Sequence, residues 1–123
     1  MSITIERSID IEEAIREYLS DYFTVYVRPL PKEHTLPNLL ITQVGGTESD
    51  KIDTFAVVLD ARAETDADAL DLINDAIGVL KQSEIGWITT TSLSSWGSDP
   101  VRPDLRLCTA RLNITTHKTT KTI

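Results

Sequence analysis

The chain reads as an α+β protein, a mostly antiparallel sheet with two helices packed on one face, in the order α-β-β-β-α-β-β. Three observations predict it. Two stretches carry apolar residues at helical spacing, several others alternate at the period of a strand, and the strands come in runs between the helices. The 123 residues suit a single domain with one hydrophobic core, and 41% apolar with 25% charged residues fits a globular chain.

Taking the elements in order, Asp10 with Glu13 has the spacing of a capping box. Ile11, Ala14, Ile15, Tyr18, Leu19 and Tyr22 follow as one apolar stripe, opposite Glu12, Arg16, Glu17 and Asp21, which predicts a helix over 11–22. Thr24 to Arg28 is a short β-rich run ended by Pro29 and Pro31. An irregular connection to Pro37 follows, with Lys32, Glu33 and His34 exposed. Leu39 to Val44 is the second strand, Gly45-Gly46 signals a turn, and Thr47 to Lys51 form a hairpin loop. The third strand, 52–62, has apolar residues on both faces, with Phe55, Val57, Leu59 and Ala61 on one and Ala56 and Val58 on the other, so it is central or covered by a neighbouring subunit.

The second helix begins after Thr65. Asp66, Asp68 and Asp71 suit its N-terminal dipole and Lys81 its C-terminal end, while Ala69, Leu70, Ile73, Ala76, Ile77 and Leu80 form its apolar stripe. Gly78 within it is expected to pack closely on the sheet. A Thr-rich strand over 85–93 contains Trp87, the segment 94–104 reads as a loop, and the closing strand over 105–116 alternates Cys108, Ala110, Leu112 and Ile114 with polar residues. The ends, 1–8 and 117–123, are expected to be flexible.

The formal net charge is −7, which disfavours nucleic-acid binding and attraction to an anionic membrane. No apolar run reaches membrane-spanning length and no signal peptide is expected. The single cysteine, Cys108, excludes an intrachain disulfide, reads as a small buried hydrophobe, and suits a reducing compartment.

Chemistry is hard to find. His34 and His117 have no metal-ligand spacing, and Gly45-Gly46 lacks the Lys and helix of a phosphate loop. Asp66, Asp68, Asp71 and Asp75 fail the calcium-loop pattern and read as a solvated strip. Ser92, Ser94 and Ser95 have no nucleophile elbow and no paired His. No catalytic, cofactor-binding or metal-binding residue is therefore assigned, and an enzyme is not expected. Trp and Arg are favoured interface anchors, so the contact candidates are Trp96, Arg102 and Arg106 in the long loop, with Thr47, Glu48 and Asp50 in the hairpin.

An ordered set of features resembles a known family. It comprises Ile11-Glu12-Glu13-Ala14-Ile15, then Arg28-Pro29-Leu30-Pro31, then Pro37-Asn38-Leu39-Leu40-Ile41 ending in Gly45-Gly46. The strand Asp53 to Ala61 precedes the helix with Asp68-Ala69-Leu70-Asp71-Leu72-Ile73, and a Pro/Asp-rich stretch from Asp99 to Asp104 leads to the closing strand. Over roughly 9–116 the chain resembles the tail terminator (minor tail) proteins of long-tailed bacteriophages and prophages. The resemblance implies a structural virion protein, assembled in the host bacterial cytoplasm, forming a hexameric ring in the tail. That ring caps the tail tube, ends its polymerisation and forms the head–tail joining surface. Its implied partners are further copies of the chain, the tail tube protein and a head-completion or connector protein, with no membrane. DNA passes through the ring without specific binding, and an acidic lining would repel it. The resemblance brings no catalytic residue and no cofactor. Two alternatives stay open, another head–tail connector or neck protein, and a small-molecule-binding, ferredoxin-like regulatory module with a pocket between sheet and helices.

Overall fold

In the computed structural model the described residues are 1–29, 31, 35–98 and 104–123, with the backbone alone for 92–98. The elements are β1 (Thr4–Arg7), α1 (Ile11–Leu19), β2 (Val25–Val27), β3 (Asn38–Glu48), β4 (Ile52–Ala63), α2 (Asp66–Leu80), β5 (Trp87–Ser98), β6 (Arg106–His117) and β7 (Thr119–Thr122). The main sheet has the order β2-β3-β4-β6-β5. It is antiparallel except for β2 beside β3, which run parallel. The expected α+β class and its two helices are present, and β4 is the central strand.

Local chemistry explains most boundaries. The Asp10 carboxylate accepts from the Glu13 amide at 3.2 Å, capping α1, and Thr65 caps α2 through the Asp68 amide at 3.1 Å. Ile11, Ile15 and Leu19 of α1, and Ala69, Ile73, Ala76, Ile77 and Leu80 of α2, are buried. They meet Phe55, Val57, Leu59 and Ala61 of β4 and Cys108, Ala110, Leu112 and Ile114 of β6 in one core. Those strand residues are two apart, so all point to the same side, and both helices pack there.

The structure corrects five local expectations. First, α1 stops at Leu19. The Ser20 hydroxyl donates to the Arg16 carbonyl at 2.5 Å, and the Tyr22 and Phe23 amides fold back to the Leu19 carbonyl. Tyr22 leaves the stripe and is 61% exposed.

Second, Gly45-Gly46 is a bulge within β3, not a turn. The register shifts between Gln43 and Gly45, and the strand continues to Glu48. A Cβ on Gly46 would stand 2.4 Å from the Thr54 carbonyl oxygen, so only glycine lets the strands approach. The turn lies at 49–51, where the Ser49 amide and hydroxyl both donate to the Ile52 carbonyl. Thr47 and Glu48 therefore belong to a strand.

Third, Gly78 faces outward, with nothing within 4 Å of a Cβ placed there. It does not pack on the sheet.

Fourth, the stretch expected to be a loop from Ser94 is strand as far as Ser98, paired to β6 across a register shift between Ser94 and Gly97. Residues 99–103 lie outside the described residues, as do 30 and 32–34, so Arg102 and the expected exposure of Lys32, Glu33 and His34 lie outside them too.

Fifth, the two ends, expected without regular structure, contain strands. β1 and β7 form a two-stranded antiparallel ribbon, Thr4 opposite Thr122 and Arg7 opposite Thr119. Ile3 and Ile123 add reciprocal backbone hydrogen bonds at 2.9 and 2.7 Å. Short β-prone segments like these order once a partner strand is available.

Candidate functional site

The helices pack on one side of the sheet, and the side that no described helix covers is the candidate site. On that open side stand Thr54, Ala56, Val58, Asp60 and Arg62 of β4, opposite Thr115, Asn113, Arg111, Thr109 and Leu107 of β6. Apart from Ala56, which is buried, and Arg111, which is exposed, these are half-buried. Their polar groups are tied across the strands. The Thr109 hydroxyl donates to Asp60 Oδ1 at 2.7 Å, and the hydroxyls of Thr54 and Thr115 lie 3.3 Å apart. Arg28 Nε donates to Thr42 Oγ1 at 3.2 Å, placing a guanidinium over the same side. The Thr54–Thr115 pair, the Thr109–Asp60 bond and the Arg28–Thr42 bond order the polar groups of this surface, which also carries Ala56, Val58 and Leu107.

At one corner the connection before β3 is tied to the sheet. The Thr35 amide donates to the Tyr26 hydroxyl at 3.0 Å, and buried Asn38 donates from Nδ2 to the Thr35 carbonyl at 2.9 Å. Leu40, on the open side by register, is buried there. At the opposite end the surface becomes apolar. Trp87 is 67% exposed and Ile52 40%, and the rings of Trp87 and His117 meet edge to face at 5.9 Å. Trp87 stands beside Thr115, and Ile52 beside His117. A groove of about 480 Å³ runs past Ile9, Ile85, Gly86, Trp87 and His117. A Cβ on Gly86 would come within 2.2 Å of the Thr115 carbonyl oxygen, so glycine sets how closely the entry to β5 lies on β6.

No family model matches the chain, and no curated protein does.

The sequence-derived contact residues are scattered. Thr47 and Glu48 lie at the end of β3 and Asp50 in the adjoining turn, all exposed. Glu48 accepts from Lys118 Nζ at 2.5 Å. Arg106 is engaged within the chain, its Nε donating to Asp66 Oδ1 at 2.5 Å near the start of α2. Trp96 lies within β5, and Arg102 lies outside the described residues. The structure thus brings Thr47, Glu48 and Asp50 together and places Arg106 elsewhere.

Sequence reasoning passed over Trp87 as a surface residue. Its signal was present, because a tryptophan in a strand otherwise rich in threonine has few apolar neighbours to bury it. It also missed a buried ion pair. Lys118 Nζ lies 3.0 Å from Asp53 Oδ1, with both side chains almost wholly buried between the end ribbon and the sheet. The neighbouring Ser8 hydroxyl, aided by Lys118, outweighs burial and holds the Asp53 carboxyl below its ordinary range. Glu48, then Asp53, raise Lys118 above the usual lysine range against the cost of desolvation. On the covered side, burial pushes the Cys108 thiol up, which disfavours the reactive thiolate. Among the described residues no group of three His, Cys, Asp or Glu side chains is placed to hold a metal ion. No helix among them is long and apolar enough to cross a membrane.

Proposed function

We propose that the chain is a structural virion protein that assembles as a ring on the end of a phage tail tube, stops tube growth and presents the surface that joins the head. The observation that carries this reading is the one-sided sheet. Five strands have both helices on one face, while the other face, among the described residues, carries hydrogen-bonded polar groups and ends in exposed Trp87 and Ile52. Exposed aromatic surface beside hydrogen-bonded polar groups suits a protein partner. The resemblance to tail terminators names the assembly, and the net charge of −7 suits a ring through which DNA passes without being held.

The test is negative-stain imaging of tail tubes polymerised with and without the purified protein. Tubes of limited length with a ring at one end are expected, and Trp87→Ala is expected to weaken end occupancy at least tenfold while the protein stays folded. Tubes that grow to the same lengths with bare ends would overturn the reading.

A further inference from the structure

Arg28 and Arg111 lie on the open side of the sheet, whereas Asp68, Asp71 and Asp75 belong to α2, which packs on the other side. Arg28 and Arg111 share one row of the open face, since Arg28 holds Thr42, Thr42 faces Val58, and Val58 faces Arg111. Asp60, two residues from Val58 on that face, already accepts the Thr109 hydroxyl. On the far side of the molecule, Asp68, Asp71 and Asp75 of α2 line a groove of about 460 Å³ whose apolar surface includes Pro37 and Leu72. Among the described residues no cation is paired with these three aspartates, and no carboxylate is paired with Arg28 or Arg111.

From this we infer that the open sheet face of one copy docks on the α2 groove of a second copy, with Arg28 and Arg111 reaching the aspartates. Arginine suits such a groove, because its stem packs on apolar surface while its planar fork meets carboxylates in pairs. A chain of net charge −7 repels its own copies unless they meet with unlike charges opposed. The two surfaces differ, so the contact is head-to-tail, and it closes into a ring where the rotation between copies divides evenly. The inference rests on the ring reading for its biological setting, although the contact itself is measurable without a tail tube.

The experiment uses two charge-reversed full-length proteins, R28E/R111E and D71R/D75R, followed by sedimentation and light scattering. All four positions are on the surface, and circular dichroism and melting check that each variant folds. The wild type is expected to self-associate, less so at high salt, and each variant alone to lose association at least tenfold. Mixed in equal amounts, the two variants oppose unlike charges at every contact and are expected to recover it. A wild type that stays monomeric at every concentration, a variant that associates like the wild type, or a mixture that fails to recover association would each overturn the inference. Copies that associate through this pair and yet leave tail tubes uncapped would keep the contact and remove the capping role.

Discussion

The covered and open faces of the sheet are made by the same strands, one residue out of step. Val57, Leu59, Ala110 and Leu112 point to the helices and are wholly buried, while their neighbours Val58, Asp60, Thr109 and Arg111 point the other way and are half-buried or exposed. Burial of the first set supplies stability through removal of apolar surface from water. The second set gains less from burial, and within it the Thr109 hydroxyl bonds the Asp60 carboxylate. The division teaches that most of the buried apolar residues lie on the helix side, with Leu40 and Ala56 buried on the other, which leaves much of that other side to be shaped for recognition.

Substitutions on the two faces should therefore separate widely. The largest expected effect is on the covered face, where Ile73→Ala should cost about 2–5 kcal/mol in urea unfolding, because the wholly buried side chain leaves a cavity. Val58→Ala on the open face should cost under about 1.5 kcal/mol. Equal losses at the two sites would break the comparison. Next comes Gly86→Ala, which drives a methyl into the Thr115 carbonyl and should destabilise by about 1–3 kcal/mol. A melting temperature equal to wild type would show that β5 can shift at no cost.

Gly78→Ala, on the outward side of α2, should stabilise by up to about 1 kcal/mol, since the position is exposed and unobstructed. Arg111→Ala should change stability by no more than about 0.5 kcal/mol, although self-association should suffer. A large stability loss at Arg111 would mean that the open face also holds the fold together.

The buried pair between Asp53 and Lys118 sharpens the comparison through pH. The folded-state pKa of Asp53 lies below its unfolded value of about 3.9, so its contribution is fully present above that pH and is lost as pH falls through the folded value. Lys118 has the opposite sign, contributing below its unfolded value of about 10.4 and losing that contribution as pH rises through the raised folded value. Urea midpoints measured from about pH 6 down to about pH 2 should fall less steeply for Asp53→Asn than for wild type. Parallel curves would remove Asp53 from the acid response.

The fold class, both helix starts, the central strand and the buried alternation of β4 and β6 were legible in the sequence. Each is written in spacing or capping chemistry within a dozen or so residues, as with Thr65 before α2 or Cys108, Ala110, Leu112 and Ile114 along β6. The open face was only partly legible. A strand pattern says which residues share a side, but whether that side is covered depends on where the helices land. Glycine gave an ambiguous signal, since a bulge, a close approach and an open helix surface can each accept it, and Gly46, Gly86 and Gly78 occupy these three settings in turn.

By itself, then, the amino-acid order determined which segments form helices and strands and which side of each is apolar, because those preferences are local. The tertiary structure alone decided three things. β1 pairs with β7 across the length of the chain, Lys118 is buried against Asp53, and Arg28 joins the row of Arg111. Each depends on groups far apart in sequence meeting in space, and nothing in the neighbourhood of either partner encodes the meeting.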